Sequence, residues 1–171
     1  MRNRNKWIVI ILPIMLLLAG CNLPKESSSD STDNGSDDLY TVTRVIDGDT
    51  IEVRQGEVTY RVRYVGVNTP ESDESCFQDA TQANRNLVDG QQVRLERDDS
   101  NTDRYGRLLR FIYVGTTFVN ETLVRDGWAE AVLYPPDDGY HDRLVDLEEE
   151  ASSGGRGCHP TGIFNDGSST R

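Results

Sequence analysis

The sequence predicts an α+β fold in which a small five-stranded barrel carries three packed helices. Segments in which β-branched residues alternate with polar ones occur in two groups, three before residue 70 and two between residues 92 and 114. Three further segments have apolar residues at spacings of three and four, and each is followed by glycine. These spacings predict helices, and short antiparallel strands with unpaired edges favour closure into a barrel.

The strands are predicted in chain order from alternation and turn residues. They cover residues 40–46, 50–54, 58–67, 92–97 and 107–114. The turns Asp47-Gly48-Asp49 and Gln55-Gly56-Glu57 separate the first three strands and predict a meander. With the helices added, this order is typical of an OB-fold barrel.

The helices are predicted over residues 74–89, 117–126 and 140–152. Gly90, Gly127 and the pair Gly154-Gly155 follow their last apolar positions and mark their ends. Residues 39–164 therefore form one predicted domain, and the polar residues 165–171 form a loose tail.

Composition excludes a membrane bundle, because the hydrophobic fraction of the 171 residues is only 36%. The formal net charge is -11, and of the 18 basic residues only Lys6 and Lys25 are lysine. Net charge alone argues against a nucleic-acid substrate, since nucleic-acid binding surfaces are usually basic.

The first 38 residues predict export and a lipid anchor. Residues 1–20 have a basic start and a short apolar run, which are typical of a signal peptide. Leu18-Ala19-Gly20-Cys21 resembles a lipobox, which predicts lipidation of Cys21, although an ordinary signal peptide with a coincidental cysteine is the alternative. Residues 21–38 are polar and predict a disordered tether. The protein is thus expected on the outer face of the cell membrane.

Two cysteines remain once Cys21 is assigned to the anchor. An oxidising compartment favours a disulfide between Cys76 and Cys158, with two free thiols as the alternative. A zinc site is poorly supported, because the chain has only two histidines and no Cys-x-x-Cys spacing.

Charged and polar residues cluster at the predicted strand ends. Asp47 and Asp49 follow the first strand, and Arg63 lies in the third strand, with Asn68, Thr69 and Glu71 after it. Carboxylate and carbonyl oxygens suit a hard cation such as Ca²⁺, and a metal and arginines stabilise the negative charge that accumulates at an attacked phosphodiester. Asp47-Gly48-Asp49 taken alone is equally typical of a hairpin turn.

Four motifs in order resemble the staphylococcal nuclease, or thermonuclease-like, family. They are VIDGDTI (45–51), RVRYVGVNTPE (61–71), TDRYGRLLRFIY (102–113) and VNETLVRDGWA (119–129), and the similarity runs from about Tyr40 to Phe164. The resemblance implies an OB-fold barrel with three helices. It also implies a Ca²⁺-dependent nuclease acting on DNA, RNA or both.

The resemblance implies a metal site at Asp49, Asn68 and Thr69. Asp49 would be a direct Ca²⁺ ligand, and Thr69 would offer its backbone carbonyl oxygen. The family prototype has an aspartate where this chain has Asn68. A neutral amide oxygen binds Ca²⁺ more weakly, so another divalent ion could also serve.

The remaining roles also follow from motif position. Glu71 would act on the attacking water, and Arg63 and Arg107 would bind the phosphate and stabilise the transition state. Arg63 could equally form a structural ion pair with Asp49 or Glu71.

Three residues are expected to contact the substrate. Arg104 and Tyr105 would lie beside the scissile phosphate. Ungapped alignment places Leu133 and Pro135 opposite the two substrate-flanking tyrosines of the prototype, and Tyr134 is a candidate to replace one of them.

The sequence therefore predicts a monomeric, lipid-anchored Ca²⁺-dependent endonuclease. The alternative is a lipoprotein whose OB fold binds single-stranded nucleic acid without cutting it. Retention of Glu71 and both arginines favours the enzyme.

Overall fold

A computed structural model describes residues 39–165 of the chain. The predicted signal peptide (1–20), Cys21, the tether (21–38) and residues 166–171 of the tail lie outside the described residues. Within the described part, no helix is long and apolar enough to cross a bilayer.

Five of the eight strands within residues 39–165 form a closed barrel. The strands are β1 (Leu39–Val45), β2 (Thr50–Gln55), β3 (Val58–Tyr64), β4 (Val67–Asn68), β5 (Gln92–Glu96), β6 (Leu108–Val114), β7 (Thr117–Phe118) and β8 (Glu130–Ala131). Strands β3, β2, β1, β5 and β6 pair in that order, all antiparallel. The barrel closes through a parallel pairing of β3 with β6. The prediction of a closed five-stranded barrel is confirmed, but the expectation that every pair is antiparallel is wrong.

The predicted third strand is interrupted. Gly66 has a φ of 74°, a left-handed conformation that turns the chain after Tyr64. The chain then resumes as β4, which pairs with β8 and sets Asn68 opposite Glu130. This turn separates Arg63 from the loop that carries Glu71.

In the described part of the chain three helices pack on the barrel, as predicted, with shifted ends. They are α1 (Phe77–Val88), α2 (Val119–Arg125) and α3 (His141–Ser153), and two short 3-10 helices follow at His159–Thr161 and Ile163–Asn165. Helix α1 begins three residues later than predicted, because Cys76 has a φ of 70°, which helical geometry excludes. Helix α2 begins two residues later, because Thr117 and Phe118 pair with β6 instead.

The core lies inside the barrel and under α2 and α3. Its fully buried side chains include Ile51, Val62, Leu123 and Leu144. A disulfide joins Cys76 to Cys158 with a Cα–Cα distance of 5.7 Å, as predicted, and ties the start of α1 to the segment after α3.

Candidate active site

One cleft beside the β3–β6 seam contains nearly all the predicted site residues. Its volume is about 750 Å³. The predicted residues that line it are Asp49, Arg63, Asn68, Glu71, Arg104, Tyr105, Arg107 and Tyr134. Thr69 is buried and contacts Asp49.

The parallel pairing of β3 with β6 explains why two arginines converge. Arg63 lies opposite Leu109 in this register, and Arg107 is two residues before Leu109. The end of one strand and the start of the other therefore face the same cleft. These two ends meet because the parallel pair is staggered: the last three residues of β3 pair with the first three of β6.

The turn Asp47-Gly48-Asp49 packs directly against Thr69. A Cβ atom at Gly48 would lie 2.6 Å from Thr69 Oγ1, which is too close for any side chain. The backbone N–H of Asp49 donates to Asp47 Oδ1 (3.1 Å). The turn is therefore part of the site and not only a hairpin connection.

Asp49 is buried, accepts three hydrogen bonds and forms one ion pair. Its Oδ2 accepts from the backbone N–H (2.9 Å) and hydroxyl (3.0 Å) of Thr69. Its Oδ1 accepts from the Thr50 hydroxyl (3.1 Å) and forms an ion pair with Arg63 Nε (3.1 Å). Four donors fix this carboxylate in one orientation.

Arg63 is held as firmly as Asp49. Its Nη1 donates to the carbonyl oxygens of Tyr64 (2.5 Å) and Val67 (2.8 Å), and its Nη2 donates to Asn68 Oδ1 (3.0 Å). With the Nε contact, these bonds use four of the five guanidinium N–H groups within residues 39–165. The ion pair considered from the sequence exists with Asp49, and the guanidinium still lines the cleft.

Asn68 lies between Arg63 and a glutamate that the sequence analysis did not select. Its amide Nδ2 donates to Glu130 Oε1 (3.0 Å), and its Oδ1 accepts from Arg63. Both Asn68 and Glu130 are buried. These two partners therefore fix the orientation of the Asn68 amide, with Oδ1 towards Arg63 and Nδ2 towards Glu130.

Arg107 is oriented by Asp103, a second residue that the sequence analysis missed. Arg107 Nε donates to Asp103 Oδ2 (2.6 Å), and Asp103 Oδ1 accepts from the backbone N–H groups of Tyr105 and Arg107. The guanidinium carbons of Arg104 and Arg107 lie 4.8 and 5.6 Å from the centre of the exposed Tyr105 ring. Within residues 39–165, Arg107 Nη1 and Nη2 donate no hydrogen bond and remain available to an anion.

Glu71 is the exposed carboxylate of the cleft. Its backbone N–H donates to Glu74 Oε2 (2.7 Å), which fixes the loop after β4. Partial burial, and next the negative charge of Asp49, raises the pKa of Glu71 above its ordinary value. A carboxylate with a raised pKa is a better proton acceptor near neutral pH.

The side chains that line the cleft carry an excess of negative charge, which favours the binding of a cation. Four carboxylates (Asp47, Asp49, Glu71 and Asp103) and three guanidinium groups line it. Burial, and next the charge of Asp49, raises the pKa of Asp47 to about 6. A divalent cation would relieve this repulsion and make the cleft attractive to phosphate. Residues 39–165 contain no group of three His, Cys, Asp or Glu side chains that could hold a metal, so carbonyl, amide or water oxygens would have to complete the ligand set.

Helix α1 holds the acidic turn through Asn84, a third residue that the sequence analysis did not assign to the site. The fully buried Asn84 donates through Nδ2 to the Asp47 carbonyl oxygen (2.9 Å) and accepts from the Tyr64 hydroxyl (2.9 Å). Asparagine at a buried helical position was the available signal. Tyr134 also lines the cleft, whereas Leu133 is 49% exposed and lines a different pocket.

Comparisons with known proteins agree with this geometry. Residues 61–158 match the family described as staphylococcal nuclease homologue. The chain is 32% identical to a thermonuclease of Staphylococcus hyicus over 160 residues, which cover 88% of this chain and 94% of the relative. It is 34% identical to a thermonuclease of Staphylococcus intermedius (84% and 87% covered) and 35% identical to endonuclease YncB of Bacillus subtilis (85% and 86% covered).

Proposed function

We propose that this chain, which belongs to the staphylococcal nuclease homologue family, is a nuclease. It would hydrolyse phosphodiester bonds within DNA, RNA or both, with bound Ca²⁺. The observation that carries the proposal is the convergence of Asp49, Arg63, Glu71 and Arg107 on one cleft. The names of the similar thermonucleases and endonuclease support the same reaction class.

The donor chemistry of the cleft fits Ca²⁺. A hard cation prefers oxygen ligands. Apart from the amide nitrogen of Asn68, oxygen is the only ligand atom that the candidate side chains offer, and these belong to Asp47, Asp49, Asn68 and Thr69. Asp49 would hold the ion, with the Thr69 carbonyl and water completing its ligands. The Oδ1 of Asn68 would contribute only if it shares its contact with Arg63. The bound ion would supply positive charge to the phosphate oxygens and lower the pKa of a bound water.

Arg63 and Arg107 would have different roles at the phosphate. Arg107 has both terminal nitrogens available and can present a planar fork to two phosphate oxygens. Arg63 is fixed by four contacts, so its remaining Nη2 hydrogen is already oriented before substrate binds. Fixed donors of this kind stabilise developing negative charge without a cost in reorganisation.

Glu71 would take a proton from the water that attacks phosphorus. The carboxylate lines the same cleft as both arginines, and its raised pKa suits the role. The exposed ring of Tyr105, flanked by Arg104, would contact a sugar or base beside the scissile phosphate, and Tyr134, which lines the same cleft, would be a further substrate contact.

Plasmid nicking tests this function. The wild-type chain is assayed with Ca²⁺, with Mg²⁺ and with EDTA, beside Glu71→Gln and the matched control Glu57→Gln, which removes a charge from an exposed turn. Nicking should require Ca²⁺ and fall at least about 100-fold in Glu71→Gln only. Metal-independent nicking or an active Glu71→Gln would contradict the assigned roles. Binding of single strands without any cleavage would favour the non-catalytic alternative.

The membrane anchor remains a proposal from the sequence. We propose that Cys21 carries the lipid and holds a monomeric enzyme on the outer face of the cell membrane. Cys21→Ser should move the protein from the membrane fraction to the soluble fraction. An unchanged membrane fraction would refute lipidation at this residue, and a dimer mass in solution would refute the monomer.

A further inference from the structure

Three strands of the barrel present arginines on their outer face. Side chains alternate between the two faces of a strand, and Ile51, Val53 and Val62 are buried in the core. In β2 and β3, the residues that alternate with these buried side chains therefore point outward. The outward positions include Arg54 and Arg61, both exposed, and in β1 the exposed Arg44.

The register places these arginines side by side. Arg44 lies opposite Glu52, and Glu52 lies opposite Arg61, so the three form one row across the sheet. Arg54 lies two residues beyond Glu52 on the same face. We call Arg44, Arg54 and Arg61 the outer arginine face.

The outer arginine face continues from the candidate active site. The next row towards the cleft is the pair Thr50 and Arg63, and both residues line the cleft. Arg61 and Arg63 share one face of β3 because they are two positions apart. A chain that occupies the cleft at Arg63 can therefore run directly onto Arg61.

The arginines of this face are free to contact an anion. Arg61 forms one ion pair, 3.6 Å from Glu52, with 57% of its side chain exposed, and exposed pairs of this kind contribute little. Within residues 39–165, Arg44 and Arg54 form no salt bridge. Three guanidinium groups thus surround a single carboxylate.

Helix α3, none of whose residues lines the cleft, has the reverse charge. Helix α3 carries five acidic residues and one arginine, namely Asp142, Asp146, Glu148, Glu149, Glu150 and Arg143. A polyanion is repelled by the acidic residues of α3 and attracted by the outer arginine face. Charge complementarity therefore favours extension of the substrate over the barrel face.

We propose that the outer arginine face binds the phosphates of the polynucleotide substrate on one side of the bond that is cut. The inference rests on the proposed nuclease function and adds an extended binding surface to it. Cleavage of a long strand then depends on the outer arginine face, whereas cleavage of a minimal substrate with one phosphodiester bond does not.

The test compares a triple variant with a charge-matched control. Arg44→Gln/Arg54→Gln/Arg61→Gln removes the outer arginine face, and Arg85→Gln/Arg143→Gln/Arg156→Gln removes three exposed arginines elsewhere. On a long single-stranded oligonucleotide, kcat/KM of the first variant should fall by on the order of tenfold or more. The slope of log K against log salt should become shallower by about 2, since each lost phosphate contact in a single strand contributes about 0.7.

The outcomes separate the two proposals. A wild-type protein that cuts neither substrate contradicts the nuclease function, and binding of the long strand measured by fluorescence anisotropy still tests the face. Equal losses in both triple variants, or a loss on the minimal substrate as large as on the long strand, overturn the inference. If the triple variant fails to fold, Arg54→Gln alone should reduce the salt slope by about 0.7, and an unchanged slope contradicts the proposal.

Discussion

Replacing Glu130 by alanine should weaken catalysis through a residue that touches no substrate. Glu130 Oε1 accepts the only hydrogen bond that Asn68 Nδ2 donates within residues 39–165, and both side chains are buried. Without this acceptor the amide Nδ2 is unsatisfied, which costs about 1–3 kcal/mol of unfolding free energy. The amide can then rotate and present its NH₂ group to Arg63, which removes the contact of 3.0 Å that orients the guanidinium.

The expected size of the catalytic effect follows from that contact. A hydrogen bond to a charged group contributes about 1.5–3 kcal/mol, and each 1.36 kcal/mol changes a rate about tenfold. Glu130→Ala should therefore lower kcat by roughly 10- to 100-fold. Its KM should change little, because Arg107, the proposed phosphate ligand, does not contact Glu130 or Asn68.

Asn68→Asp supplies the decisive comparison. The substitution restores the acid of the family prototype but places a carboxylate about 3 Å from Glu130, inside the protein, where like charges repel strongly. In Asn68→Asp/Glu130→Gln, the new amide can donate to the new carboxylate. The double variant should therefore be more stable and more active than Asn68→Asp.

A double-mutant cycle tests this coupling. Urea unfolding and steady-state kinetics are measured for four proteins: the wild type, Asn68→Asp, Glu130→Gln and the double variant. We expect a coupling free energy above about 0.5 kcal/mol, the limit within which the effects of independent sites usually add. Additive effects on both stability and kcat would refute it.

Three further predictions concern Glu71, the disulfide and His159. Glu71→Gln should lose activity while its urea midpoint stays near that of the wild type, because the side chain is exposed; a large loss of stability would mean that Glu71 supports the fold instead. Reduction of the disulfide between Cys76 and Cys158, which are 82 residues apart, should lower the unfolding free energy by about 4–5 kcal/mol on the loop-entropy account, and equal urea midpoints with and without dithiothreitol would contradict it. Burial lowers the pKa of His159 below 6.5, so the unfolded chain takes up its proton first and stability should fall as pH drops below about 6.5; His159→Gln should reduce that slope, and an unchanged slope would exclude His159 as its source.

The elements of the fold could be predicted because each has a local cause. Alternation in β1–β3 and the glycines after the three helices depend only on neighbouring residues. The closing pair could not be predicted in the same way, since no local pattern states that β3 pairs in parallel with β6. That pairing is what brings Arg63 and Arg107 to one cleft.

The motifs identified the residues of the site but not what holds them. Asp103, Asn84 and Glu130 orient Arg107, the acidic turn and Asn68. Two of these contacts join residues 37 and 62 positions apart in the chain. Asn68 illustrates the consequence: motif position suggests a metal ligand, whereas the fold also gives its amide two protein partners.

The net charge of -11 and a nucleic-acid substrate are compatible once the charges are assigned to faces. Fields from exposed charges are screened beyond about 8 Å at physiological ionic strength, so a phosphate inside the cleft responds mainly to the groups that line it. There, three guanidinium groups oppose four carboxylates, and one divalent ion would reverse the balance. The acids of α3 do not line the cleft, whereas the outer arginine face adjoins it. The position of the arginines therefore bears on the proposed nucleic-acid substrate more directly than the total charge does.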